Sequence, residues 1–400
     1  MQSRTTTTVM LGVAQTLAWA SSYYLPAVLA GAIGRDVGAS TSTIFGAFSV
    51  ALLVAAVVGP YAGRLIDRLG GRPVLIASNL VFALGLAALS QARTPIHVFG
   101  AWAVMGLAMG SGLYEAAFAT VVRLHGVEAR RAITGITLFA GFASTVGWPL
   151  STYLEGAVGW RGTCMAWAAM HLVIGLPLNA LVPRASRVAP ASKADVSTPA
   201  AGAGLSPAQQ RRAAFLMAFV FAVTWFNSTA MAAHLPELLL ATGATLTVAV
   251  GIAALVGPAQ VVGRLIEFTF LKRAHPLFSA RLATLAHPLG ALCLGLFGTS
   301  AAAAFAVLHG LGNGILTIAI GTLPLLIFGA KGYGERQGFL MVPARVVQAA
   351  APFLFGLAVA RWGVGSLWFS AFLGLAAFVT LAVMTADMKK AVRARPSSET

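Results

Sequence analysis

Along this chain, apolar runs of about 20 residues or more alternate with short polar breaks, and each run is long enough to cross roughly 30 Å of hydrocarbon as a helix. The pattern predicts twelve membrane-spanning helices, the first six near residues 9–33, 43–64, 73–91, 96–124, 132–153 and 162–182. The other six lie near 212–235, 246–268, 277–299, 301–328, 337–360 and 364–386. One long polar stretch interrupts the series. Residues 183–212, rich in Ala, Ser and Pro, read as a flexible linker. The predicted fold is therefore an all-α polytopic membrane protein, with a six-helix half over 1–182, a cytoplasmic linker over 183–212, and a second six-helix half with a cytoplasmic tail over 213–400.

The two halves repeat each other. Gly63-Arg64-Leu65-Ile66-Asp67 at the end of span 2 recurs as Gly263-Arg264-Leu265-Ile266-Glu267 at the end of span 8. Gly106-Leu107-x-x-Gly110 in span 4 recurs as Gly310-Leu311-x-x-Gly314 in span 10. Gly135 with Pro149 matches Gly338 with Pro352, and Leu25-Pro26 matches Leu235-Pro236. Single matches of this kind are cheap in a Gly- and Ala-rich membrane protein, but four in the same order are not. Because six helices is an even number, the repeats share one orientation and are related by an axis along the membrane normal.

Composition agrees: 58% of the 400 residues are hydrophobic and 10% charged, and the mean hydropathy is +0.83. A net charge of +16 would point to nucleic acid if it lay on one soluble face. Instead, with the N-terminus placed in the cytoplasm, 21 of the 27 basic residues fall in cytoplasmic segments, and only Arg35, Arg93, Arg161 and Arg361 fall on the other side. The positive-inside rule then places both termini and the linker in the cytoplasm, in a cytoplasmic (inner) membrane, with the lipid bilayer as partner and no nucleic acid. Cys164 and Cys293 both sit in apolar stretches, which supports neither a disulfide framework nor a Cys-based metal site. No Gly-x-x-x-x-Gly-Lys-Ser/Thr loop occurs, so direct coupling to ATP is unsupported. The chain reads as a non-enzyme without cofactor or metal.

Gly63-x-x-x-Asp67-Arg68-x-Gly70-Gly71-Arg72, placed between spans 2 and 3, resembles the signature loop of the major facilitator superfamily of secondary transporters. The departure is Gly71, where many members carry a basic residue. Similar Asp-Arg-x-Gly-Gly-Arg loops occur in the monocarboxylate and organic-anion branches, as does Gly159-Trp160-Arg161 before span 6. Span 8 lacks the Asp and Arg that monocarboxylate carriers place there, and span 5 has Gly147-Trp148-Pro149 where drug antiporters have Gly-Pro-x-x-Gly-Gly. The resemblance implies a gating role for Gly63, Asp67, Arg68 and Arg72. Asp67 is suited to accept hydrogen bonds at a neighbouring helix N-terminus, and the arginines to clamp carboxylates of the same half. Alternatively, these arginines only fix topology.

Ionisable groups at membrane depth are expensive and hence informative. Glu115 is the one acid well inside any predicted span. The resemblance implies that spans 1, 4, 7 and 10 line a central cavity, with Glu115 and Tyr114 on it. A carboxylate in a partly dry cavity has its charged form disfavoured, which suits reversible proton binding. The alternative is a structural pair with Arg123, two turns away in sequence. Arg345, in span 11, cannot lose its proton and needs an anion, from a substrate or from the protein, unless it snorkels to the surface. Gln15, Trp19 and Tyr23 in span 1, Trp225 and Asn227 in span 7, and Asn313 and Thr317 in span 10 supply the polar and aromatic content of a small-molecule site. His171, His287 and His309 read as hydrogen-bonded helix contacts, His287 beside Pro288 satisfying a carbonyl freed by the kink.

The sequence thus predicts a monomeric secondary transporter working by alternating access, with a small-molecule substrate and protons as partners. The first choice is proton-coupled uptake of a small organic anion, with Arg345 holding the anion and Glu115 the proton. The rivals are proton-driven efflux of an amphipathic or cationic compound, and a receptor or assembly factor on the same fold.

Overall fold

The computed structural model describes residues 3–184, 205–271 and 274–393. Most of the expected linker, 185–204, and the end of the tail lie outside the described residues. Contacts group the chain into two compact units, Met1–Pro190 with Ala330–Ala349, and Ala191–Gly329 with Ala350–Thr400. In this grouping Ala330–Ala349 packs with the first six spans.

In the first unit, span 1 is two helices, α1 (Arg4–Ser21) and α2 (Leu25–Val37). The sequence pattern implied one helix. The break arises because Ser21 and Ser22 turn their hydroxyls back onto the Leu17 and Ala18 carbonyls, and Pro26 has no N–H to continue the ladder. Spans 2 and 3 are α3 (Thr41–Leu69), capped by Ser40, and α4 (Gly71–Ser90). Span 4 is also interrupted, at Leu113, between α5 (Pro95–Gly112) and α6 (Tyr114–His125). Gln15 reaches across from α1 and donates to the Gly112 carbonyl at 2.7 Å, satisfying an acceptor at that break. Spans 5 and 6 comprise α7 (Arg130–Ala140), α8 (Ala143–Met170), a π-helical turn over His171–Gly175, and α9 (Leu176–Ala180). The helix α8 changes direction at Gly159, whose φ is 70°. Just beyond it Trp160 donates to Asp36 at 3.1 Å, while Arg161 pairs with Asp36 and donates to the Ala92 carbonyl at 2.6 Å. The Gly-Trp-Arg run thereby fastens three helix connections.

The second unit contains α10 (Pro207–Ala241), opened by a Ser206–Gln209 capping box, then α11 (Leu246–Ala254) and α12 (Val256–Thr269) forming span 8. It continues with α13 (Pro276–Phe297), α14 (Ala302–Phe328), the end of α15 (Tyr333–Trp362), and α16 (Ser366–Arg393). Packing follows the sequence repeat. Span 4 lies on span 2 (α5 on α3) and span 10 on span 8 (α14 on α12), while span 6 lies on span 3 and span 12 on span 9. The glycine pairs explain the first contact: a Cβ at Gly106 or Gly110 would press on the α3 backbone, and one at Gly310 or Gly314 on the α12 backbone. Eight helical stretches among the described residues are long and apolar enough to cross a membrane, and several of them contain more than one of the twelve predicted spans.

Candidate functional site

The interruption at Leu113 places Glu115 in the first turn of α6, at the positive end of the helix dipole. Its partner is Arg345 and not Arg123: Arg345 Nη2 donates to Glu115 Oε1 at 2.9 Å. The pair is nearly dry, with the Arg345 side chain 4% exposed and that of Glu115 13%. Arg345 Nη1 donates to Gln348 Oε1 at 3.0 Å, and the guanidinium carbon stands 5.9 Å from the centre of the Trp19 ring. Trp19 in turn meets Tyr114 at 4.8 Å and Tyr23 at 5.3 Å between ring centres. Six of the predicted residues, Gln15, Trp19, Tyr23, Tyr114, Glu115 and Arg345, therefore gather in the first unit around one ion pair with an aromatic wall. Snorkelling of Arg345 is ruled out by its burial.

The remaining predicted substrate residues belong to the second unit. Asn227 donates to the Ser370 carbonyl at 3.0 Å, and Asn313 donates to Ser228 Oγ at 2.8 Å. The Thr317 hydroxyl is turned onto the Asn313 carbonyl, and Trp225 is buried on α10. His287 does not serve a carbonyl freed by Pro288. It bonds His309 on α14 at 2.8 Å and Ser370 Oγ on α16 at 2.9 Å.

At the other end of the first unit, Asp67 accepts from the backbone N–H groups of Gly334 at 3.0 Å and Glu335 at 2.9 Å, the first turn of α15. Two donors and a helix dipole meet one carboxylate there. A Cβ at Gly63 would overlap the Gly334 carbonyl, so the loop glycine is what lets α15 approach α3. The clamp beside it is Arg64, whose Nε and Nη2 reach Glu335 Oε1 at 3.0 and 2.5 Å. Arg68 is exposed and Arg72 half-buried, and the carboxylate clamped belongs to the other half of the sequence. Glu335 lies ahead of the apolar run of α15. The Arg64 hydrogen bond, with the field of Arg68 added, holds its carboxyl below the ordinary carboxylate range. Sequence reasoning missed Gln348, Arg64 and Glu335 as functional contacts. Gln348 was legible as a polar residue one turn from Arg345 in an apolar span; the Arg64–Glu335 pairing had no local signal.

Among known proteins, the profile described as Major Facilitator Superfamily matches residues 11–303. An uncharacterized 38 kDa protein in the 23S RNA operon of Thermoproteus tenax is 30% identical over 373 residues, which is 89% of each chain. The multidrug resistance protein MdtL of Klebsiella pneumoniae (strain 342) is 29% identical over 175 residues, 42% of this chain and 43% of that one. Among solved structures, the E. coli fucose:proton symporter FucP has a similar fold, with a TM-score of 0.75 at 14% identity over 96% of this chain and 99% of that one. The human organic anion transporter MFSD10 has a TM-score of 0.67 at 17% identity, covering 94% and 99%.

Proposed function

We propose that this chain, which belongs to the Major Facilitator Superfamily, is a proton-coupled carrier that takes up a small organic anion by setting the anion and Glu115 in competition for Arg345. The observation that carries this reading is the dry Glu115–Arg345 pair. A permanent cation in such a place needs one anion, and two carboxylates cannot both hold it well. When a substrate carboxylate takes the guanidinium fork, Glu115 loses its cation. A carboxylate left in a nearly dry site then binds a proton from water, because its charged form is no longer compensated. One anion and one proton therefore load together, and release of the anion returns Arg345 to Glu115 and frees the proton. Trp19, Tyr114 and Tyr23 supply the apolar wall that keeps the exchange dry. Uptake by proteoliposomes driven by an inward proton gradient tests the reading. Accumulation of small monocarboxylates that collapses with the gradient is the expected result, and gradient-independent uptake contradicts it.

The partial similarity to MdtL supports a second reading, efflux of a cationic compound. Here Arg345 is set against it, since the Glu115 site carries no net negative charge for a cation to meet. The six-helix halves over 1–182 and 213–400, joined by 183–212, are read as the moving bodies of alternating access. In this reading the ties from Ala330–Ala349 to the first six spans are made in one state and broken in another. Asp67→Asn, which weakens the hydrogen bonds to Gly334 and Glu335, is expected to cut transport per folded molecule about tenfold or more while expression changes little. Unchanged transport per folded molecule contradicts the gating role.

Both termini are assigned to the cytoplasm on the charge asymmetry. Cysteine at Thr94, between α4 and α5, is expected to react with an impermeant thiol reagent on intact cells. Cysteine at Val127, between α6 and α7 and 45% exposed, is expected to stay protected until the membrane is opened. The reverse pattern inverts the assignment.

A further inference from the structure

Within the second unit, α10, α13, α14 and α16 enclose a polar cavity that the anion mechanism does not use. Its polar lining is Thr224, Asn227, Thr284, His287, His309 and Asn313, and among the described residues no charged one lines it. Space open to the centre of a water-sized sphere is about 30 Å³, enough for about two small polar heavy atoms at roughly 10–15 Å³ each.

The hydrogen bonds around this cavity have a direction. Ser370 Oγ donates to the Leu367 carbonyl at 2.9 Å, which leaves its lone pair to accept from His287 Nε2–H. His287, neutral in an apolar interior, then has a bare Nδ1, which accepts the Nδ1 proton of His309 at 2.8 Å. His309 has thereby used its one proton and is left with a lone pair on Nε2. Asn227 donates Nδ2 to the Ser370 carbonyl, and its Oδ1 is buried without a partner. Asn313 donates to Ser228, while Thr224 and Thr284 donate to the Val220 and Arg281 carbonyls of their own helices. The hydroxyl and imidazole protons of the wall are thus all directed into the protein, and lone pairs of His309, Asn227 and Asn313 remain. Of these, Asn227 Oδ1 is fully buried, and a buried acceptor is unfavourable until a donor meets it.

We propose that this cavity is a binding site for the hydroxyl group of a small neutral alcohol, whose one proton is donated to Asn227 Oδ1. A cationic donor would enter a wall with no carboxylate to compensate it. The nearest charges along the surrounding helices are Arg281, six residues before His287 on α13, and Arg264 with Glu267 on α12, which packs against α14; none lines the cavity. The hydroxyl is that of a free small alcohol, so the inference stands independently of the anion reading.

Equilibrium binding to the purified full-length protein tests it, with methanol as the neutral hydroxyl and methylammonium as a cation of the same two-heavy-atom size. Methanol is expected to bind saturably to the wild type and about tenfold more weakly to Asn227→Leu. Asn227→Asp, which adds the missing carboxylate, is expected to gain methylammonium binding about tenfold over the wild type, a readout that survives even if the Leu variant fails to fold. The inference is overturned if the wild type shows no saturable methanol binding. Methylammonium binding by the wild type that disappears in Asn227→Leu overturns it equally.

Discussion

Replacing Arg345 with Ala is expected to lower anion affinity by about two to three orders of magnitude, the range found when one member of a buried, hydrogen-bonded charge pair is removed. The same substitution strands Glu115, which costs about 3–5 kcal/mol of stability if the carboxylate stays charged. The two effects separate in the double variant Arg345→Ala with Glu115→Gln. It is expected to regain stability, because no buried charge is left unpaired, yet still not to bind the anion. Arg345→Lys keeps the charge but loses the planar fork, so it is expected to raise the apparent KM with a smaller loss of kcat. A double variant that recovers both folding and anion binding shows that Arg345 is only structural.

Glu115→Gln carries the second large effect, and its sign differs. Gln has nearly the same shape, does not titrate and does not compete for Arg345, so anion binding is expected to persist and to tighten. Proton-driven accumulation is expected to disappear, while exchange of labelled anion across the membrane continues, because loading no longer waits for a proton to arrive or leave. Both readings expect stability to fall without bound anion, because Arg345 is left buried without its carboxylate; a purely structural Glu115 differs in that net uptake and exchange per folded molecule fall together. Net uptake and exchange measured side by side on the same proteoliposomes, normalised to folded protein, distinguish the two. Normal accumulation by Glu115→Gln removes Glu115 from coupling.

The spans, the repeat and the loop at Asp67 were legible because each is a local pattern: apolar runs set by bilayer thickness, glycines where helices touch, and an acid beside glycines at a helix end. The identity of the helix that Asp67 caps was not legible. Its donors are Gly334 and Glu335, far along the chain and on a segment that packs with the first unit. Arg345 and Glu115 could each be singled out by the cost of burying charge, but their pairing depends on tertiary packing, and no pattern in either span encodes it. The helix break at Leu113 escaped the periodicity because hydropathy is insensitive to φ and ψ, although Gly110, Ser111 and Gly112 just before it marked a weak point. His287 and His309 were visible as intramembrane histidines, but their mutual hydrogen bond needed the facing of α13 and α14.

Whether Arg345 exchanges Glu115 for the substrate is tested most directly by counting protons at the binding step. Calorimetry of anion binding to the purified protein, repeated in buffers of different ionisation enthalpy, reports the protons taken from the medium. The wild type is expected to take up about one proton per anion bound and Glu115→Gln none. Binding by the wild type with no proton uptake, or equal uptake by both proteins, contradicts the exchange at Arg345.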